Sequence, residues 1–191
     1  MKKLLYPFAF AAALSISGCN SSNTANDTTD TSEIVTDTMM TSDASTPLAD
    51  RDTAFANKAA IGGMAEVEFG QLAMTKASNA KVKDFASMMV NDHSKANEEL
   101  KAIANAKNMM LQATLDADHA KIKEELSAKQ GAEFDKAYVK AMVDGHQKTL
   151  ALMEDGSANN QNAELKGFAA KTAPVVKHHL DMILKIQSEL K

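Results

Sequence analysis

The chain has 191 residues, with 21 basic and 25 acidic side chains and a formal charge of −4 at pH 7. This length suits one domain with a tail, and the charge balance lacks the basic footprint of a nucleic-acid-binding protein. The single cysteine excludes an internal disulfide and a cysteine-rich zinc site. The absence of tryptophan and the low aromatic content of 5% predict an aliphatic core, which suits helices rich in Ala, Leu and Met.

The N-terminus has the residue order of a bacterial lipoprotein signal. Lys2 and Lys3 precede an apolar run that is too short for a stable membrane-spanning helix, and small residues then lead to Cys19. We expect a signal peptide over residues 1–18, a lipid on Cys19, and membrane attachment through acyl chains. By analogy with Gram-negative sorting, Asn20 after the lipidation site favours the outer membrane, with the exported protein facing the periplasm.

Residues 19–50 differ in composition from the rest of the chain. After Cys19 this segment is rich in Ser, Thr, Asn and Asp, and it has six acidic residues with no Lys or Arg. It offers too little apolar surface to offset the entropy of ordering. The composition therefore predicts a disordered acidic tether with a root-mean-square reach of about 30 Å.

The remaining part, residues 51–191, shows helical periodicity and no strand-like alternation. Four long helices and one short helix between the second and third are predicted, over about residues 53–77, 81–107, 117–129, 132–154 and 163–190. Ser78-Asn79 and Asp155-Gly156-Ser157 are the turn signals within the two helix pairs. The predicted fold is all-α, a ferritin-like four-helix bundle with a short extra helix in the connection between helices two and three.

An internal repeat supports the bundle. Residues 79–86 recur at 162–169 with five identities out of eight. With a shift of three residues, close to one helical turn, His93 corresponds to His179. The second and fourth long helices therefore resemble copies of each other, as in ferritin-like bundles.

Each long helix carries one metal-capable side chain on or beside its inner face. These residues are Glu66, His93, His146 and His179. One carboxylate and three imidazoles in a bundle core predict a site for a divalent or copper ion, and such a donor set suits zinc or copper. A turn at Gly156, however, would place His179 about two turns too low.

Neighbouring residues on the same helical faces are second candidates. Met89 and Met142 precede His93 and His146 by four residues, and His178 precedes Met182 by four. Thioethers beside imidazoles favour copper(I), although methionine is also an ordinary core residue. Asp92 is a candidate for orienting a ligand, because it is adjacent to His93.

Two other functions stay open. The Glu–His set also suits a hydrogen-bonded network without metal, in a structural module of the cell envelope that binds a protein partner, because a buried Glu66 requires a partner. A metal-dependent oxidase is the least favoured function, and no catalytic residue is predicted. A di-iron site needs Glu-x-x-His on two helices, whereas Val90 and Val176 stand three residues before His93 and His179. The sequence leaves the oligomeric state open.

Four short strings occur in order: GGMAEVE at 62–68, MVNDH at 89–93, MVDGH at 142–146 and PVVKHHL at 174–180. Together they resemble the family called domain of unknown function 4142, whose members are exported bacterial proteins, often described as outer membrane proteins. The resemblance covers about residues 52–191 and implies a ferritin-like fold. It implies no defined activity, and its recurrent polar positions correspond to Glu66, Asp92, His93, His146 and His179.

Overall fold

The computed structural model describes residues 48–190, which form five helices. These are α1 (Asp50–Lys76), α2 (Ala80–Ala106), α3 (Ala117–Ser127), α4 (Gly131–Asn159) and α5 (Ala163–Glu189). The first hairpin consists of α1 and α2, the second of α4 and α5, and the order around the bundle is α1–α2–α5–α4. The short α3 packs on α1 and α4. The predicted all-α four-helix bundle, with its extra helix in the second connection, is confirmed.

The first helix begins close to the predicted end of the tether. Asp50 and Asp52 lie in the first turn of α1, where negative side chains interact favourably with the positive end of the helix dipole. The predicted signal peptide, Cys19 and nearly all of the 19–50 tether lie outside the described residues. Among the helices that the structure describes, none combines the length and apolar character required to cross a membrane.

The core consists of two apolar clusters with a polar layer between them. One cluster contains Phe69, Phe85 and Ile183, and the other contains Leu100 and Val176, among further residues. On α2, α4 and α5, a buried histidine lies in sequence between residues of the two clusters, and on α1 Glu66 directly follows Ala65, the first α1 residue of the cluster that contains Phe69. This layer comprises Glu66, His93, His146 and His179.

The predicted turn at Asp155-Gly156-Ser157 is wrong. Helix α4 continues through these residues to Asn159, and Gly156 is buried. A Cβ atom at Gly156 would lie 2.4 Å from Cε2 of Phe55 on α1. The glycine therefore permits close packing of two helices rather than ending one, and the turn to α5 comes later, at residues 160–162.

Each hairpin turn is held by a buried aspartate from the other hairpin. Asp135, on α4, accepts hydrogen bonds from the backbone N–H groups of Ser78 and Asn79 and from the Ser78 hydroxyl. Asp52, on α1, accepts from the N–H groups of Gln161 and Asn162, at 3.0 and 2.7 Å. The two aspartates are 2% and 1% exposed. Both therefore satisfy backbone donors of the turns, at the N-cap residue and at the residue before it.

We expect Asp135→Ala to lower the free energy of unfolding by about 2–4 kcal/mol, because several part-buried hydrogen bonds to one buried carboxylate are lost together. For a domain of this size the melting temperature falls by about 10 °C. The matched control is Asp181→Ala, which removes an exposed pair with Lys177 and is expected to change stability by less than about 0.5 kcal/mol. Equal melting temperatures for the two variants would contradict the proposed role of Asp135.

Candidate metal centre

The four predicted polar residues meet at one level of the bundle. Glu66 comes from α1, His93 from α2, His146 from α4 and His179 from α5. Their exposed fractions are 4%, 6%, 0% and 1%, respectively. All four side chains are therefore largely shielded from water.

The longer α4 explains how His146 and His179 come to the same level. The turn between α4 and α5 is centred on Gln161. His146 lies fifteen residues before Gln161 and His179 eighteen after it, a difference of about 4.5 Å along the helix axes. The expected offset of two turns was therefore a consequence of the misplaced turn at Gly156.

The three imidazole rings form a compact cluster. Their ring centroids are 5.4–5.7 Å apart. One ring nitrogen from each histidine lies within 4.8 Å of the other two. Three atoms so spaced lie at most about 2.8 Å from a common centre, so shifts of less than about 1 Å would give metal–nitrogen distances near 2.0–2.1 Å.

Each ring is oriented through one of its two nitrogens. His93 Nδ1 lies 2.9 Å from Glu66 Oε2, His146 Nδ1 donates to the Met142 carbonyl oxygen at 2.9 Å, and His179 Nε2 lies 3.1 Å from Asp92 Oδ2. The remaining nitrogens, His93 Nε2, His146 Nε2 and His179 Nδ1, have no hydrogen-bond partner among the described residues. In metal sites, a carboxylate or carbonyl commonly fixes a histidine in this way and leaves the second nitrogen for the ion.

Burial and mutual charge shift the pKa values of these groups in different directions. Burial lowers the pKa of His179 to about 4, with a further lowering by His93 and His146. Burial also lowers the pKa of His146, against the opposing effect of Glu66. Two of the three rings are therefore neutral at pH 7, the state that binds a metal.

Glu66 and His93 form the charged part of the centre. Burial raises the pKa of Glu66, but the three histidines, His93 foremost, lower it to about 2. Burial lowers the pKa of His93, yet the Glu66 carboxylate and Asp92 raise it above its ordinary value. Glu66 also lies 3.5 Å from His146 Nδ1, so this single buried carboxylate contacts two of the rings.

The second candidates occupy different environments. Met89 and Met142 are buried in the apolar cluster that contains Phe85. His178 is exposed, although its ring centroid lies 6.4 Å from that of His179. Asp92 does orient a ring, but it contacts His179 across the bundle rather than its sequence neighbour His93.

Sequence reasoning did not identify two aromatic residues beside the centre. The Phe85 ring centroid lies 6.1 Å from that of His146 and 6.4 Å from that of His179. Tyr138 is buried, its hydroxyl lacks a partner in the described part of the chain, and burial and Glu66 raise its pKa. The available signal was spacing, because Tyr138 precedes His146 by eight residues on the same helical stripe.

The profile of the family described as "Domain of unknown function (DUF4142)" matches residues 37–186. The chain belongs to the DUF4142 family. This match contains all four residues of the centre. A comparison with curated proteins finds no match for this DUF4142 chain.

Solved structures show the same fold at low sequence identity. A DUF305 fragment from Deinococcus radiodurans has a TM-score of 0.67 at 10% identity, and the match covers 76% of this chain and all of the fragment. CopM in the Cu(I)-bound form has a TM-score of 0.61 at 13% identity, covering 72% and 96% of the two chains. CopM in the Ag-bound form has a TM-score of 0.60 at 16% identity with the same coverage. These similarities establish the helical bundle of the DUF4142 chain.

Proposed function

We propose that this protein binds one copper ion through His93, His146 and His179. The observation that carries the proposal is the set of three buried ring nitrogens without partners, one from each ring, in a cluster whose other nitrogens are already held. Burying a polar atom without a partner costs free energy. A single ion bound by all three ring nitrogens would give each of them a partner and so remove this cost. That CopM is known in Cu(I)-bound and Ag-bound forms supports a copper function for this bundle shape.

Charge favours copper(I) over zinc. A buried ion needs nearby opposite charge, and Glu66 is the one fully buried carboxylate in contact with the described ring cluster. Its single negative charge balances Cu(I), whereas Zn²⁺ would leave a net positive charge that only the half-buried Asp92 opposes. Imidazole is nevertheless a good ligand for both metals, so zinc is the second candidate.

The decisive experiment is metal titration of the full chain, purified without a polyhistidine tag. We expect one equivalent of Cu(I), or of Ag(I) as a redox-inert substitute, to bind more tightly than Zn²⁺. Because the ion binds only the folded state, a free concentration 100-fold above the Kd adds about 2.7 kcal/mol of stability, which raises the melting temperature by about 5–11 °C. The absence of both a bound ion and a melting shift would eliminate the metal function and favour a structural module, whose protein partner in envelope membranes is retained in the presence of a chelator.

The proposal assigns this activity to the cell envelope, in metal or stress homeostasis. It rests on the lipoprotein-like order of residues before Cys19, with Asn20 favouring the outer membrane on its periplasmic side. We expect Cys19→Ala to abolish incorporation of a radiolabelled fatty acid and to release the protein from the membrane fraction, because one residue carries the acyl anchor. Unchanged labelling of Cys19→Ala would contradict the lipid anchor while leaving the metal function intact.

A further inference from the structure

A groove runs along the outer side of the centre, between α1, α3 and α4. Its volume is about 580 Å³, and Gly62, Ala65, Glu66, His119 and Gly145 contribute to its wall. Four further surface cavities of the described residues, of about 300–570 Å³, include none of the four residues of the centre. The groove is therefore distinguished by its contact with the centre through Glu66.

Glu66 separates the groove from the histidines. It is 4% exposed and forms part of the groove wall, while its carboxylate oxygens lie 2.9 Å from His93 Nδ1 and 3.5 Å from His146 Nδ1. One flexible, negatively charged side chain thus lies between a water-accessible space and the buried rings.

The outer end of the groove is open to water. His119 and Asp116 have exposed side-chain fractions of 32% and 47%, and His119 Nδ1 lies 2.6 Å from Asp116 Oδ1. Lysines and carboxylates both contribute to the wall, among them Lys58, Lys148 and Asp144. The mixed charge does not exclude a cation, and Glu66 is the buried carboxylate of the groove wall.

We propose that this groove is the route by which the metal ion reaches and leaves the histidine cluster, with Glu66 as the gate. The proposal rests on the metal function proposed above. An ion that moves along the groove toward the centre meets the Glu66 carboxylate before it meets the rings, and rotation of this side chain opens the way to them. Asp92, which contacts His179 Nε2 from α2, does not contribute to the groove wall.

Two glycines allow the groove to be filled without disturbing the bundle. A Cβ atom at Gly145 on α4 would have no atom within 4 Å, and one at Gly62 on α1 would lie 3.9 Å from Thr149 Oγ1. Leucine at either position therefore has room for its Cβ atom and extends into the groove. Gly167 on α5 provides the matched control, because its Cβ also meets nothing within 4 Å and it does not contribute to the groove.

The test compares rate and affinity in Gly145→Leu, Gly62→Leu and Gly167→Leu. Uptake of Ag(I) or Zn²⁺ is followed by stopped flow, release by transfer to a chelator, and Kd by titration. We expect both groove variants to slow uptake and release about tenfold with Kd within about twofold of the original, and Gly167→Leu to change neither. A melting curve for each metal-free variant verifies that it is folded.

The possible outcomes separate the two proposals. Unchanged rates in both folded groove variants, with normal metal binding, would overturn the route and leave the metal function standing. A loss of affinity at unchanged uptake rate would also overturn it, because the groove would then act on the bound state. The absence of metal binding in the original chain would overturn both proposals.

Discussion

His179→Ala is expected to abolish tight copper binding, whereas His178→Ala leaves it unchanged. The two histidines are adjacent in sequence, but His179 is 1% exposed and contributes a nitrogen to the cluster, while His178 is exposed. Removing a residue that only hydrogen-bonds to a metal ligand lowers metal affinity by about 10–100-fold. Removing one of the three ligands themselves is therefore expected to lower the affinity by more than about 100-fold. The measurement is titration with Ag(I) or Cu(I) against a competing chelator.

A second substitution separates ligand loss from loss of packing. His179→Leu keeps an apolar side chain of similar size in the core, so the metal-free protein is expected to melt close to the original temperature while metal binding is lost. The metal-dependent rise in melting temperature should then disappear in both His179 variants and persist in His178→Ala. If His179→Leu retained full affinity, the centre would not be the binding site.

The metal-free protein is expected to lose stability as the pH falls from about 6.5 to about 4. The pKa of His179 falls to about 4 on folding and that of His146 is also lowered, so in this range the unfolded chain binds more protons than the folded one. Stability therefore decreases with decreasing pH, by about 1 kcal/mol per pH unit. Chemical denaturation at several pH values, with a chelator present, measures this slope.

Glu66 and His93 affect the free energy of unfolding in other pH ranges. The pKa of His93 is raised, so its contribution is fully present below about pH 6.5 and is lost as the pH rises through its folded value. Glu66, with a pKa of about 2, contributes stability that is lost between about pH 4.5 and 2. The slope between pH 6.5 and 4.5 therefore reports on His146 and His179. His179→Leu should flatten it, and His178→Ala should not; an equal slope in all three proteins would contradict this assignment.

The sequence predicted the bundle because its helices are long, amphipathic and separated by polar turns. Ser78-Asn79 marks a real turn because Asn79 caps α2 by accepting a hydrogen bond from the Lys81 N–H. Gly156 gave a false signal, since glycine is used both to end helices and to let them approach closely, and sequence alone does not distinguish the two uses.

The candidate centre was accessible from sequence because a histidine or glutamate within an apolar stripe is conspicuous. The partners that orient the rings were less accessible. Asp92 reaches His179 from another helix, so no linear spacing reveals that contact. The His146 partner is the backbone carbonyl of Met142, four residues earlier, and a backbone group does not depend on the residue type at its position. The two aspartates that hold the hairpin turns do have a signal in the sequence. Asp52 and Asp135 are separated by 83 residues, the same interval as Asn79 and Asn162.

The hydrogen bonds that Asp52 and Asp135 make to the turn of the opposite hairpin have a consequence for folding. Because each hairpin supplies the acceptor for the other's turn, an isolated half would expose uncapped amides and an apolar face. The halves are therefore expected to be unstructured when separated, and assembly is expected to occur in a single cooperative step. His146 and His179 belong to the second hairpin, whereas His93 and Asp92, which orients His179, belong to the first. A nascent or proteolytically cut chain would therefore lack the proposed metal centre until both halves had joined.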